Sequence, residues 1–214
     1  MSEAQPTSAM VVIGDEILSG RTRDSNMHHL AQVLTEAGAP LREVRVVADE
    51  REEIVAAVRE LAGKYDHVFT SGGIGPTHDD ITAEAVAAAF DTPISVRDDA
   101  RAILLAHYGD PEKLTEARLR MARIPDGAEL IANPISGAPG FKLRNVHVMA
   151  GVPIIFNAMV ESLRPTLRGG PKMLSHAFRI PVAEGDIAGP LSALAEAHPA
   201  ISFGSYPFYQ GGYG

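Results

Sequence analysis

The fold of this chain is decided by the stretch Val68-Phe-Thr-Ser-Gly-Gly-Ile-Gly-Pro-Thr-His-Asp-Asp-Ile-Thr-Ala-Glu84. It begins as a short apolar strand, passes through a glycine-rich turn and enters a helix. Gly72, Gly73 and Gly75 have no Cβ atom, so the backbone can fold closely around a ligand, and Pro76 fixes the exit of the turn. Because the free N–H groups at a helix N-terminus attract anions, this stretch predicts a phosphate-binding turn.

Three acids, Asp79, Asp80 and Glu84, occupy the first turns of the same helix. Acids at a helix N-terminus often only cap it, and this explanation requires no ligand. Acids beside a phosphate would repel it unless a divalent cation such as Mg²⁺ lies between them. The spacing alone leaves both explanations open, a capped turn and a Mg²⁺-assisted phosphate site.

Composition limits the class of protein. With 214 residues and a hydrophobic fraction of 45%, the chain has room for one good-sized soluble domain and a small additional piece. It has no cysteine, which excludes disulfides and cysteine-based metal sites and fits a cytoplasmic location. No apolar run approaches the roughly 20 residues that span a bilayer, and the polar N-terminus lacks the pattern of a signal peptide. A net charge of −8 speaks against nucleic acid as a partner.

Apolar strands alternate with amphipathic helices along most of the chain. The strands are predicted at 9–13, 41–47, 67–70 and 146–149, and the helices at 25–36, 50–62, 82–90, 97–107, 114–122 and 154–167. This order predicts a three-layer α/β/α domain with a mostly parallel sheet over residues 9–167. The charged strand 41–47 is expected near the edge of the sheet, and residues 127–145 are expected to be a loop.

After a linker containing glycine and proline at 168–171, residues 172–214 predict a second, small unit. Its pattern is a strand at 173–180, a helix at 187–197 and a strand at 200–208. About 40 residues in this β-α-β order bury too little surface to form a full core. We therefore expect a partial α+β module at the C-terminus.

Polar loops follow the four strands that we expect to be parallel. The loop residues are Gly14, Asp15 and Glu16 after the first strand, Asp49 after the second, 71–80 after the third and 151–153 after the last. Ligands of parallel α/β sheets bind at the carboxyl ends of the strands, so these loops are expected to converge on one site. Asp15, Asp49 and Asp80 would then be carboxylates near one ligand, able to hold Mg²⁺ or to transfer a proton.

The common phosphate-binding motifs do not occur in the sequence. There is no Gly-x4-Gly-Lys-Ser/Thr, and the turn at 73–78 lacks the third glycine of the dinucleotide fingerprint. Ser71 is not in a Gly-x-Ser-x-Gly setting, so phosphate contact is a better interpretation of this residue than nucleophilic attack. His78 is either a phosphate contact or a solvated turn residue. Three arginines lie in or directly after the predicted helix at 114–122, namely Arg118, Arg120 and Arg123. The sequence assigns no role to them.

Four pieces of the sequence, in this order, carry a family resemblance. They are Gly14-Asp-Glu-Ile-Leu-Ser-Gly20 with Asp24 and Asn26, Thr70-Ser-Gly-Gly-Ile-Gly-Pro76 with Asp80, Thr82 and Glu84, Asn133-Pro134 with Pro139-Gly140, and Gly151-Val-Pro153. Together they resemble the molybdopterin-binding (MoCF biosynthesis) domain, above all the N-terminal region of CinA (competence/damage-inducible protein A) and the corresponding domain of FAD synthases. The resemblance covers about residues 9–167, and residues 175–206 resemble the small middle module of the same proteins.

The resemblance implies a molybdopterin-binding-like fold and chemistry at a phosphoanhydride. In related molybdopterin adenylyltransferases, an acid after the second strand and one after the glycine turn serve catalysis and metal binding, and these positions match Asp49 and Asp80. For the CinA-like branch, the resemblance implies a divalent-metal-dependent ADP-ribose pyrophosphatase. Relatives form homo-oligomers, as dimers or trimers. The chain departs from the usual pattern at Ala150, and again at 154–156, where Ile-Ile-Phe replaces Ser-Glu-Met.

The predicted site combines the residue chemistry with the resemblance. Asp49 and Asp80 are the predicted catalytic residues, and Asp15 and Asp80 are the predicted ligands of Mg²⁺ or another divalent cation. The residues predicted to bind a phosphorylated small molecule, molybdopterin or a nucleotide, are Gly14, Asp15, Glu16, Asn26, Ser71, Gly72, Gly73, Gly75, Pro76, Thr77, Glu84, Gly151 and Pro153. The expected function is a nucleotide pyrophosphatase. The alternatives are a non-catalytic pterin- or nucleotide-binding module and an adenylyltransferase of molybdenum-cofactor biosynthesis.

Overall fold

A computed structural model describes residues 5–172 and 174–207 of the chain. The chain divides into two units, the first ending at Met173 and the second beginning at Leu174. The main sheet of the first unit consists of β1 (Ser8–Ile13), β2 (Leu41–Val47), β3 (His67–Ser71), β6 (Glu129–Ile131), β7 (Gly140–Leu143) and β8 (Val146–Met149). These strands lie in the order β2-β1-β3-β8-β7-β6, and a separate antiparallel pair is formed by β4 (Ile94–Val96) and β5 (Arg123–Pro125).

One half of the main sheet is parallel. Strand β1 pairs with β2 and β3, and β3 pairs with β8, in each case in the parallel sense. Every residue of β1, β3 and β8 is buried, whereas β2 is only partly buried at the edge of the sheet. Continuous apolar sequence suits strands that are covered on both faces. The predicted parallel sheet and the edge position of residues 41–47 are confirmed.

The other half of the sheet is antiparallel and corrects one prediction. Residues 127–145 were expected to be a loop, but β6 and β7 pair with each other and β7 pairs with β8. These strands are only 3 and 4 residues long, too short to show a period of two in the sequence. Asn133 orders the turn between them, because its side chain accepts hydrogen bonds from two backbone N–H groups and donates to the carbonyl oxygen of Ala138.

Helices cover both faces of the main sheet. They are α1 (Asp15–Leu18), α2 (Asn26–Ala37), α3 (Arg51–Lys64), α4 (Thr82–Ala89), α5 (Asp98–Tyr108), α6 (Glu116–Arg120) and α7 (Pro153–Leu163). On one face, Leu30 and Phe156 pack with Phe69 of the sheet, and on the other face Ile54 and Val86 pack with a second buried cluster. Each of these side chains is 0% exposed, and burying a side chain of this size stabilises the fold by about 1.5–3 kcal/mol. The three-layer α/β/α prediction is confirmed.

In the second unit, the described residues 174–207 form one helix, α8 (Glu184–Ala197). Residues 174–207 form no strand, so the strands predicted at 173–180 and 200–208 are wrong for their described parts. The ends of those predictions that lie outside the described residues are Met173 and Phe208. Apolar side chains in these segments stay exposed, Phe178 at 85%, and an extended segment forms a strand only when a neighbouring strand supplies its hydrogen bonds. Among residues 5–172 and 174–207, no helix has both the length and the apolar character needed to cross a membrane.

Candidate functional site

The carboxyl ends of four neighbouring strands meet at one edge of the sheet. The backbone N–H of Gly14 donates to the carbonyl oxygen of Val47 at 3.2 Å, which joins the loops after β1 and β2. The N–H of Gly72 donates to the carbonyl oxygen of Met149 at 3.2 Å, which joins the loops after β3 and β8. A Cβ atom at Gly151 would lie 3.1 Å from the Cα atom of Gly72. The loops therefore touch, as expected for parallel strands in this order.

Asn26, at the start of α2, connects the ends of β3 and β8 through one side chain. Its Nδ2 atom donates to Ser71 Oγ at 2.7 Å and to the carbonyl oxygen of Gly151 at 2.7 Å. The residue is 3% exposed, and its Oδ1 atom is buried without a hydrogen-bond partner. A buried acceptor without a donor is costly, so this oxygen is available to a donor supplied by a ligand or by water.

A cleft opens above Asn26. We call it the Asn26 cleft. Among the residues that line it are five of the predicted binding residues, namely Glu16, Asn26, Ser71, Gly151 and Pro153. The remaining lining comes from the end of β1, from Ile17 of α1 and from residues 22–25, which lead into α2. Residues widely separated in the sequence thus form one concave surface at the carboxyl edge, where ligands of such folds bind.

Asp15 and Asp49 contact each other beside this edge. The backbone N–H of Asp15 donates to Asp49 Oδ2 at 2.9 Å, and the N–H of Asp49 donates to Asp15 Oδ1 at 3.4 Å. Burial raises the pKa of the Asp49 carboxyl group, and the nearby charges of Asp15, Glu16 and Asp79 raise this pKa further, while the hydrogen bond from Asp15 lowers it. Several like charges around a partly buried carboxylate favour either a bound proton or a bound cation.

The glycine turn is fixed on the start of α4. Gly72 has a φ of +108° and Gly73 a φ of +68°, a region that side chains other than glycine rarely adopt. Thr82 Oγ1 donates to the carbonyl oxygen of Gly72 at 3.0 Å, and the N–H of Thr82 donates to the carbonyl oxygen of Gly73 at 2.9 Å. A Cβ atom at Gly73 would collide with Thr82 Oγ1. The sequence therefore needs glycine here for backbone conformation and for close packing.

Asp80 binds its own turn. Its Oδ2 atom accepts hydrogen bonds from the N–H of Thr77 at 2.8 Å and from Thr77 Oγ1 at 2.5 Å. The carboxylate also lies against Gly75, where a Cβ atom would be 2.6 Å from Asp80 Oδ2. Pro76 and His78 are exposed on the outside of this turn. The predicted ligands Asp15 and Asp80 thus each have other protein partners, and within residues 5–172 and 174–207 no three acidic or histidine side chains form a ready-made metal site.

A second cleft lies on the α4 side of the glycine turn. We call it the Arg120 cleft. Its lining includes the predicted residues Gly75, Asp80 and Glu84 and two residues that the sequence left without a role, Arg120 and Arg123. Arg123 forms an ion pair with Glu84. The three arginines at 118–123 were visible in the sequence, but only the packing of β5 against α4 and the hydrogen bond from Arg120 to the Asp80 carbonyl group show which of them reach the site.

Comparison with known proteins supports the family resemblance. Residues 9–169 match the family described as "Probable molybdopterin binding domain", and residues 172–214 match the family described as "FAD synthase, middle domain". A CinA-like protein of Desulfosudis oleivorans is 32% identical over 207 residues, which cover 91% of this chain and 50% of that protein. A CinA-like protein of Myxococcus xanthus is 33% identical, with coverages of 91% and 50%. The chain therefore spans about half the length of these two relatives.

Solved structures lead to the same fold. The structure of the protein CinA from Thermoplasma acidophilum is 34% identical, covers 76% of this chain and 98% of that chain, and has a TM-score of 0.71. The molybdopterin biosynthesis enzyme MoaB from Thermus thermophilus shares the fold at 18% identity, with a TM-score of 0.51 and coverages of 76% and 91%. With a family match over most of its length and a sheet edge built as this family's sequence pieces imply, the chain belongs to the molybdopterin-binding (MoCF biosynthesis) domain family and is CinA-like.

Proposed function

We propose that this domain binds a phosphorylated pterin or nucleotide at the carboxyl edge of its sheet and, with a divalent cation, hydrolyses the pyrophosphate of ADP-ribose. The observation that carries the proposal is the Asn26 cleft. Its Ser71 and Gly151 are held together by Asn26 Nδ2, which leaves Asn26 Oδ1 buried and unpartnered. A hydroxyl or N–H group of a pterin, a ribose or a base would supply the missing donor.

The acids beside the cleft fit a divalent cation. Carboxylate oxygens are the ligands that Mg²⁺ prefers, and Asp15 and Asp49 are held side by side by their reciprocal hydrogen bonds. The raised pKa of Asp49, caused by burial and in part by its acidic neighbours, reflects a repulsion that a cation would relieve. Asp15 and Asp49 would hold the cation, and a bound cation would supply charge neutralisation at the phosphate.

The other residues of the site orient the substrate and the turn. Asn26 and Ser71 bind the ligand in the Asn26 cleft, and the glycine turn approaches the phosphate without side-chain obstruction. Asp80 keeps that turn in shape by accepting two hydrogen bonds from Thr77. In this proposal Asp80 positions the phosphate-binding backbone.

The test is release of AMP from ADP-ribose by the purified full chain, with Mg²⁺, Mn²⁺ or Co²⁺ added. Asp49→Asn keeps the size of the side chain and removes its charge, so we expect the rate to fall by on the order of 100-fold. Asp126→Asn is the matched control, because Asp126 is an exposed turn residue. If the wild-type chain releases no AMP with any of the three cations, the hydrolase proposal is wrong.

A binding module without turnover is the second candidate. Two of the predicted acids have protein partners, since Glu84 is paired with Arg123 and Asp80 accepts from Thr77. Ile155, at the position where CinA proteins tend to have a Glu, is an apolar residue that packs, partly buried, against the cluster containing Met10 and Phe69. A ligand that raises the melting temperature without being consumed would favour this candidate. Light scattering of the same sample tests whether the chain forms the proposed homo-oligomer.

A further inference from the structure

The hydrogen bonds of Asn26 determine which end of its amide group is left for a ligand. One end of the amide lies 2.7 Å from the carbonyl oxygen of Gly151. A carbonyl oxygen only accepts hydrogen bonds, so this end is the donor Nδ2, and Oδ1 is the buried atom without a partner. Because Oδ1 also only accepts, the group that completes its bonding must carry an N–H or O–H hydrogen.

Ser71 offers the opposite polarity beside Asn26. Its Oγ atom accepts a hydrogen bond from Asn26 Nδ2 at 2.7 Å, and the residue is 3% exposed. Within residues 5–172 and 174–207, the Ser71 hydroxyl group donates to no other protein group, so its hydrogen is available to a ligand. An acceptor and a donor therefore lie next to the same Nδ2 atom. The ligand edge that matches them carries a donor beside an acceptor, as in an amino group next to a ring nitrogen.

The charges of the cleft lining favour an uncharged ligand group at this position. Among the described residues that line the Asn26 cleft, Glu16 and Asp24 are acids and Arg23 is the one cation. Arg23 is exposed, so solvent screens its attraction for an anion. A phosphate group is negatively charged and its ionised oxygens only accept, so it would be repelled by the two acids and by Asn26 Oδ1. An uncharged N–H group would be attracted by the same oxygens.

Three exposed apolar side chains flank the Asn26 cleft, namely Met27, Val152 and Ile154. Each directly follows a residue that lines the cleft, and their side chains are 40–65% exposed. The hydrogen bond from Asn26 to Gly151 brings the start of α2 against the loop before α7, so the three side chains surround one place. We call them the apolar rim. Several large apolar side chains exposed together beside a cleft indicate a surface that becomes covered on binding.

An ordered water molecule is the competing explanation for Asn26 Oδ1. A water would donate to Oδ1 and accept from Ser71, but it gives no reason for the apolar rim, whose contact with solvent is unfavourable. A heterocyclic ring accounts for both features together. Its polar edge meets the amide and hydroxyl groups, and its apolar faces cover the rim, which is the usual combination in small-molecule sites.

We propose that the Asn26 cleft binds an amino-substituted heterocyclic base. The amino group of the base donates to Asn26 Oδ1, the neighbouring ring nitrogen accepts from Ser71 Oγ, and the apolar rim packs against the ring. This inference rests on the ligand-binding part of the proposed function and assigns the base end of the ligand to this cleft. The phosphate end is left to the cation proposed beside Asp15 and Asp49. Adenine and pterin both carry an amino group beside a ring nitrogen, so the experiment distinguishes them.

The experiment compares ligands with and without the amino group. Adenosine, purine riboside, pterin and pteridin-4-one are titrated separately into the full chain with EDTA present, and ligand-observed NMR measures each dissociation constant. Purine riboside is adenosine without its amino group, and pteridin-4-one is pterin without its amino group. Of adenosine and pterin, the tighter ligand identifies the base. We expect its partner without the amino group to bind about tenfold more weakly, because Asn26 Oδ1 then stays unpaired. Ribose 5-phosphate, which has no base, should not bind measurably.

Substitutions of exposed side chains test the apolar rim. Ile154→Ser and Met27→Ser each remove apolar surface beside the cleft, and thermal unfolding without ligand verifies that both variants fold. Ile103→Ser is the matched control, because Ile103 is 41% exposed on α5 and lines neither cleft. We expect each rim variant to weaken binding of the preferred base by about threefold, from the apolar area no longer covered. The control should bind the base as the wild-type chain does.

Four outcomes overturn the inference. They are a wild-type chain that binds neither adenosine nor pterin, equal binding of the ligands with and without the amino group, unchanged binding by both rim variants, and equal weakening by Ile103→Ser. AMP release from ADP-ribose is measured with added cation in a separate assay. A chain that binds the base but releases no AMP contradicts the hydrolase proposal alone. A chain that releases AMP but shows any of the four outcomes contradicts this inference alone.

Discussion

His147 is a buried titratable group that makes the stability of the first unit depend on pH. It is 2% exposed in β8, and neither of its ring nitrogens has a hydrogen-bond partner. The ring stacks on Phe69 with centroids 4.8 Å apart and lies 5.7 Å from the ring of His67. Burial, together with the smaller effects of the charges of His67 and Lys142, lowers the pKa of His147 from 6.5 to about 3.

The sign of the pH effect follows from these values. The pKa of His147 is lower in the folded chain than in the unfolded chain, so between pH 6.5 and about 3 the unfolded chain binds more protons. The stabilisation is therefore fully present above pH 6.5 and is lost as the pH falls. Each pH unit of acidification within this window lowers the free energy of unfolding by about 1.4 kcal/mol. Between about pH 7.5 and 5.5, His147 alone should lower the free energy of unfolding by about 1.4 kcal/mol.

Replacement by a residue that cannot titrate isolates this contribution. His147→Phe keeps an aromatic ring against Phe69 and removes two buried nitrogens without partners. Urea unfolding is followed by far-UV circular dichroism at both pH values for the wild-type chain, for His147→Phe and for the control His28→Gln, since His28 is exposed. On acidification, we expect the free energy of unfolding of His147→Phe to fall by about 1.4 kcal/mol less than that of the wild-type chain. We expect the free energy of unfolding of His28→Gln to fall as much as that of the wild-type chain.

The remaining carboxylates and histidines titrate in all three chains, so their effects cancel in this comparison. If His147→Phe loses as much free energy of unfolding as the wild-type chain, then His147 is not kept neutral by burial. His147→Leu serves as a second variant if the phenyl ring does not fit. The reasoning is refuted if His147→Phe and His147→Leu both fold and both lose as much free energy of unfolding on acidification as the wild-type chain.

Four further substitutions test the geometry of the site and its support. Gly73→Ala should destabilise the chain by about 1–3 kcal/mol, because the φ of +68° is strained for alanine. Gly63→Ala should instead stabilise α3 by about 0.5–1 kcal/mol, because its Cβ atom would meet nothing within 4 Å. Thermal and urea unfolding measure both effects. Asn26→Ala removes two hydrogen bonds and should lower the free energy of unfolding by about 1–3 kcal/mol. It should also abolish the rise in melting temperature that a ligand of the Asn26 cleft causes. An unchanged rise would contradict the binding role of Asn26. Asn145→Ala removes bonds to the carbonyl oxygens at the end of α3 and should cost about 1–2 kcal/mol without changing the ligand shift.

The parallel half of the fold could be predicted because its sequence signal is local. In β1, β3 and β8, consecutive apolar residues are buried on both faces of the sheet. Strands β6 and β7 have 3 and 4 residues, and their pairing depends on the turn at Asn133 and on β8. The extended segments of the second unit show the opposite case, since an apolar pattern alone does not supply a strand with a hydrogen-bonding neighbour.

The candidate site was predictable to a similar degree. Asp15 and Asp49 could be expected to meet because the strands before them are neighbours and parallel. The spacing could not show that Asp80 turns back onto Thr77. An acid near a helix N-terminus can either cap the helix or face a ligand. The contact between Arg120 and Asp80 joins residues separated by 40 positions and depends on how α6 packs.

The single side chain of Asn26 also sets an order of assembly. Its partners lie 45 and 125 positions further along the chain, and chains are synthesised from the N-terminus. While residues up to about 145 emerge from the ribosome, β1, β2 and β3 can pair, but β3 is still an edge strand with unpaired backbone groups. Arrival of β8 and Gly151 closes that edge and completes the cleft in one event, so truncation before residue 146 should give an aggregation-prone chain that lacks the Asn26 cleft.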